Sequence, residues 1–131
     1  MKYLLLINTD PALLDALPPG EYDAMMQECL AHAAELRESG HLLASQKLAG
    51  AETATTLRMR NGRLSTTDGP FAETREFVGG YNLIEARDLN EAIRIAARFP
   101  WTRTGSVEIR PLDELPPLRS APAADAALAQ G

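Results

Sequence analysis

Few side chains in this chain could move a proton or hold a ligand, and two of them stand where chemistry is plausible on type and spacing. Asp68 opens the run Asp68-Gly69-Pro70-Phe71-Ala72-Glu73-Thr74-Arg75-Glu76, which closes with Gly79-Gly80-Tyr81. A carboxylate at a strand end beside Gly69, desolvated by Phe71, would serve as a general acid or base. The same side chain would equally form an Asx turn, bonding backbone N–H groups to shape the Gly-Pro bend. His32 falls at the edge of a helical apolar stripe, between Cys29 one turn before and Leu36 one turn after. From there it could reach a pocket as the side chain best suited to proton transfer near neutral pH, or rest at the boundary bonded to water or a neighbour.

The remaining candidates are weaker. Cys29 on an apolar face could line a pocket, but reads first as a small buried hydrophobe, because a reactive thiolate needs positive surroundings. Phe71, the aromatic in a polar loop, anchors that loop and secondarily lines a pocket. Gly79 and Gly80 at the start of a strand imply a bulge or a close backbone approach, to a ligand or to a second chain. Glu73, Arg75 and Glu76 read as loop charges that face water, with ligand contact as the other option. His41 reads as a surface residue. No ligand spacing for a metal is evident, and Walker, dinucleotide and nucleophile-elbow patterns are absent, so no cofactor is implied.

These residues need elements to position them. Lys2 to Asn8 is a strand whose apolar residues run consecutively, which predicts cover on both faces. Asp10-Pro11 starts a brief helical turn that Pro18-Pro19-Gly20 interrupts. A long helix follows from about Glu21 to Ser39, weakly capped at its start. Its expected stripe is Tyr22, Met25, Met26, Cys29, Leu30, Ala33 and Leu36, and Gly40 stops it. Strands are predicted over 41–48, 53–60, 63–67, 78–85 and 105–112. Asn61-Gly62 signals a type I′ hairpin between the second and third of these. Asp88 and Glu91 form an Asp version of the capping box for a second helix, which Pro100 ends.

At 131 residues this is one domain's worth of chain. Residues 1–115 form the expected domain, and the Pro- and Ala-rich 116–131 reads as a flexible C-terminal tail. A net charge of −5 with scattered Lys and Arg argues against nucleic-acid binding. The apolar run at the start is too short for a signal peptide or a membrane span, so a cytoplasmic location without membrane contact is expected. The single cysteine excludes an intrachain disulfide.

The element order predicts an α+β fold: a ferredoxin-like βαβ-hairpin-βαβ plan, with an antiparallel sheet carrying two helices on one face. The opposite face then needs a second copy packed sheet against sheet, which predicts a homodimer. The signature from Asp68 to Glu76 with Gly79-Gly80-Tyr81 resembles that of the YCII-related family in its DGPF branch, with Arg75 where Lys is usual. The resemblance extends from Met1-Lys2-Tyr3 through Met25-Met26 to Val107-Glu108-Ile109-Arg110-Pro111. It implies a dimeric ferredoxin-like fold with a small-molecule pocket between the sheet and the first long helix. It also implies acid–base chemistry of a lyase or dehydrochlorinase kind by a His/Asp pair, here Asp68 and His32. By approximate register from Gly40, the family's histidine position falls on Cys29, which puts that pair in question. The alternative it implies is a non-catalytic ligand-binding or regulatory dimer associated with an extracytoplasmic-function sigma factor.

Overall fold

The computed structural model describes residues 1–70 and 74–115. The expectations for Phe71 and for the tail at 116–131 lie outside the described residues. Four strands make one antiparallel sheet: β1 (Lys2–Thr9), β2 (Leu42–Lys47), β5 (Phe77–Glu85) and β6 (Gly105–Pro111), in the order β2-β5-β1-β6. Two further strands, β3 (Thr55–Arg60) and β4 (Arg63–Asp68), pair only with each other. The helices are α1 (Pro11–Asp15), α2 (Glu21–Glu38) and α3 (Leu89–Ala97), with 3-10 turns at Ala51–Thr53 and Pro100–Arg103.

Local chemistry sets the element ends. The Asp10 side chain accepts from the Ala12 N–H at 3.0 Å and Pro11 takes the first helical position of α1. Gly20, at φ 84°, starts α2 without a side-chain cap, as the sequence implies. At α3, Asp88 Oδ1 accepts from the Glu91 N–H at 2.9 Å. The reciprocal half of the box reaches one residue further back, with Glu91 Oε1 accepting from the Arg87 N–H at 2.8 Å.

The core lies on one face of the sheet. Tyr3, Leu5, Leu42 and Ile84 from the strands pack against Ala33 and Leu36 of α2, and against Ala92, Ile95, Ala96 and Phe99 from α3 and its end. Alternation along β1 and β5 sends Leu4, Leu6, Tyr81 and Leu83 to the other face, where they are only partly buried. No helix lies on that face among the described residues, so the consecutive apolar run of β1 has one covered side and one open side.

The stripe of α2 differs from expectation. Met25, His32, Ala33 and Leu36 are buried, while Leu30 is 59% exposed. The inward line runs 25, 29, 32, 36, and one residue's rotation of 100° swings Leu30 off it. His32 thus occupies a core position rather than an edge.

Candidate functional site

His32 is held by α3. Its Nε2 lies 2.9 Å from the Ile95 carbonyl oxygen. A carbonyl only accepts, so Nε2 carries the hydrogen and donates it. The same carbonyl also accepts from the Arg98 N–H at 3.3 Å, and because Phe99 turns its N–H to Ala96 rather than to Ile95, the carbonyl's second lone pair is left for the imidazole. The Phe99 ring meets the imidazole edge-on, with centroids 4.5 Å apart. In the neutral ring Nδ1 is then a lone-pair acceptor, and it is buried with no hydrogen-bond partner among the described residues.

Two shallow cavities adjoin this histidine along the α2–α3 groove. One, of about 370 Å³, is lined by Glu28, Glu35, Arg98, Phe99 and Arg103 beside His32. The other, of about 340 Å³, is bounded by Leu36, His41, Glu91, Arg94 and Ile95. Ion pairs bridge the groove: Arg98 to Glu35 at 2.9 Å and Arg103 to Glu28 at 2.5 Å, all four side chains about half exposed or more. Exposed pairs of this kind contribute about 0–1 kcal/mol each, so either can open at little cost.

Asp68 is elsewhere. It ends β4 opposite Thr55 and is exposed. Its neighbour Gly69, at φ 104°, donates its N–H to the Ala54 carbonyl at 2.7 Å, and Gly69's own carbonyl accepts from Thr56 Oγ1 at 2.9 Å. No hydrogen bond or shared cavity joins Asp68 to His32 among the described residues.

Cys29 is half-buried, one turn before His32. Burial pushes its thiol pKa up, and a hydrogen bond from the Trp101 side chain draws it partly back. The net upward direction keeps the thiol neutral and poorly nucleophilic at neutral pH. Gly79 is the unpaired residue of a bulge opposite Ile7 and Asn8. A Cβ there would stand 2.7 Å from Thr9 Oγ1, and one on Gly80 would stand 2.8 Å from the Gln46 carbonyl oxygen. The close approach at this glycine pair is therefore between strands of one chain.

One arrangement escaped the sequence reading. Ser106 Oγ donates to Glu76 Oε1 at 2.5 Å and lies 3.4 Å from Asn8 Nδ2, which donates to it. The three sit at one end of the open sheet face, with Asn8 paired to Ser106 across β1 and β6. Glu76 is thus a structural partner as well as a loop charge. No sequence signal linked it to Ser106, 30 residues away. Among the described residues no group of three or more His, Cys, Asp and Glu side chains gathers to hold a metal, and no helix is long and apolar enough to cross a membrane.

The chain is 34% identical over 114 residues to an uncharacterized protein of Rhizobium meliloti (strain 1021), covering 86% of this chain and 92% of that one. Among solved structures it is similar to the 5-chloro-2-hydroxyhydroquinone dehydrochlorinase of Burkholderia phenoliruptrix AC1100 in complex with 2,5-dihydroxybenzoquinone. That likeness covers 86% of this chain and 94% of the other at a TM-score of 0.46 and 14% identity, and carries no argument about chemistry. The profile of the YCII-related domain matches residues 1–116. The chain belongs to that family.

Proposed function

We propose that this YCII-related protein binds a small molecule in the α2–α3 groove, with His32 Nδ1 as the proton acceptor. The observation that carries the reading is the buried Nδ1, without a partner among the described residues, of a ring whose tautomer is pinned from the other side. Leaving a buried acceptor unsatisfied costs about 1–3 kcal/mol, a cost that a donor from a bound molecule would remove. A neutral imidazole fixed in one tautomer is also the form a general base takes. The ligand class that fits is a small molecule with a hydroxyl or N–H donor for Nδ1, and an acidic group for Arg98 or Arg103 once Glu35 or Glu28 lets go. Proton abstraction or elimination of a lyase kind is the chemistry such a base supports. Asp68 would be its acid partner only when brought in from outside this groove.

The strand order β2-β5-β1-β6 supports the ferredoxin-like reading, and the open face with Leu4, Leu6, Tyr81 and Leu83 supports a homodimer in which a second copy covers it. The competing role, a non-catalytic ligand-binding or regulatory dimer in a sigma-factor system, predicts the same binding without turnover.

The test is a screen of hydroxylated small molecules by thermal shift on wild type and His32→Gln, followed by imidazole nitrogen NMR on any hit. Glutamine can still donate to Ile95 and lacks the basic nitrogen. A ligand should raise the midpoint of wild type and not of the variant, and should move the Nδ1 resonance. Equal shifts in both proteins, or an unmoved Nδ1 signal, would remove His32 from the site.

A further inference from the structure

The second of the two cavities beside His32 holds a charge that its own walls do not balance. Two arginines and two glutamates line it: Arg94, Arg98, Glu35 and Glu91. Glu35 accepts from Arg98 Nη2 at 2.9 Å, which closes one pair. Glu91 is engaged on its other side, where one oxygen accepts from the Arg87 N–H at 2.8 Å and the second lies 3.3 Å from the Arg87 guanidinium. His41, also on the wall, turns its Nδ1 to the Glu85 carbonyl at 2.9 Å and donates there. Arg94 is left without an ion pair among the described residues.

The chain as a whole repels anions, with a net charge of −5. An anion that stays must therefore be held by contacts within a Debye length, about 8 Å at physiological salt. Arg94 offers such a contact, a planar fork of donors that matches a carboxylate. His32, 4% exposed, lines the same cavity and carries the Nδ1 acceptor that lacks a donor among the described residues. Leu36 and Ile95 add apolar wall, and the volume of about 340 Å³ suits a compact molecule, small-molecule pockets running roughly 300–1,000 Å³. Valence matters as well. One unbalanced positive charge beside Glu35 and Glu91 is matched by a monoanion, whereas a phosphate dianion would bring excess negative charge up to two carboxylates.

We infer that the groove takes a compact hydroxylated monocarboxylic acid, its carboxylate held by Arg94 and its hydroxyl donating to His32 Nδ1. The inference rests on the His32 reading above and deepens it, adding Arg94 to the arginines named there and placing it first. Arg98 and Arg103 each give up an ion pair to bind an anion, and Arg94 gives up none. Binding through Arg94 leaves both bridges across the groove intact. Arg94 is then the residue that selects for charge, and its loss changes which molecules bind rather than the tautomer that Ile95 imposes on His32.

Titration calorimetry and imidazole nitrogen NMR test this on wild type, Arg94→Gln and Arg94→Lys. The probes are lactate, mandelate and salicylate, with the neutral amide of each and inorganic phosphate as controls. At least one acid should bind wild type roughly tenfold or more tightly than its own amide and should move the Nδ1 resonance. Arg94→Gln should erase that preference and Arg94→Lys restore part of it, since lysine keeps the charge and loses the fork. The unfolding midpoint should not change, because Arg94 is exposed. An acid that moves Nδ1 yet binds Arg94→Gln as well as wild type would overturn the Arg94 assignment and leave His32 in the site. An amide or phosphate that binds as tightly as the acids would do the same. If no acid binds at tens of millimolar the assignment falls, and the His32 reading falls with it when the amides also leave Nδ1 unmoved.

Discussion

The helix-covered face of the sheet and the β3–β4 hairpin are built from strands of similar length, yet they end in opposite states. Leu5 and Ile84 on β1 and β5 are 0% exposed, whereas Leu57 and Leu64 on the hairpin are 60% and 63% exposed. The two residues singled out for chemistry divide along the same line, His32 at 4% exposure in the helix-packed body and Asp68 on the exposed hairpin. Local sequence builds a strand in both places. What covers the strand in the body is chain that arrives from far away, whereas at the hairpin Leu57, Met59 and Leu64 stay mostly exposed among the described residues. The helix-covered face is therefore completed by the chain's own helices, and the hairpin keeps its apolar face exposed.

The largest expected effect is at Phe99, which is 1% exposed and packs on the His32 ring. Phe99→Ala should cost about 3–5 kcal/mol in denaturant unfolding, enough to leave a domain of this size close to unfolded. Leu57→Ala should stay within about 0.5 kcal/mol when measured at low protein concentration. Comparable losses at the two positions would break the distinction between body and hairpin. Gly105→Ala comes next, since a Cβ there would stand 1.9 Å from the Asn8 carbonyl oxygen and force β1 and β6 apart. A loss of about 1–3 kcal/mol is expected from such overpacking, with the amide signals of both strands moving. Gly62→Ala, with open space around its Cβ and φ 73°, should cost about 1–2 kcal/mol from backbone strain alone and should disturb only the hairpin.

Much of the body was legible because its signals are local. The Asn61-Gly62 turn, the Asp88 cap, the proline stop at Pro100 and the helical start at Asp10-Pro11 each follow from one or two residues whose backbone or side-chain chemistry leaves little choice. The phase of α2 was less legible. A stripe counted on hydrophobicity prefers Leu30 to His32, and only the Ile95 carbonyl and the Phe99 ring, which α3 delivers 63 and 67 residues later, make the imidazole the better core residue. Glu76 was misplaced for the same reason, since its partner Ser106 comes from another strand. The proposed pairing of Asp68 with His32 joined two residues that are each unusual in sequence, and sequence carries no measure of the distance between them.

Smaller effects should stay within α3. Asp88→Ala removes the side chain that accepts from the Glu91 N–H, and a loss of about 1 kcal/mol is expected for such a cap. Amide exchange should quicken in the first turn of α3 and leave the hairpin unchanged. A hairpin that exchanged faster in this variant would couple the two regions more closely than their packing suggests.

The smallest expected effect is a change in pH dependence at Glu91. The Arg87 backbone N–H, hydrogen-bonded to its carboxylate, holds the pKa below the usual value, with help from the Arg87 guanidinium 3.3 Å away and from His41. A carboxyl with a lowered folded-state pKa contributes stability that is fully present above the unfolded value, about 4.3. That contribution fades as pH falls through the lower folded value, because the unfolded chain takes up the proton first. Glu91→Gln should therefore flatten the acid side of the stability profile and leave the neutral region nearly as it was, since glutamine can still accept from the Arg87 N–H. Stability measured by denaturant unfolding across that acid range reads the difference directly. An unchanged acid limb would mean that the hydrogen bond, rather than the charge it holds, is what Glu91 gives to the start of α3.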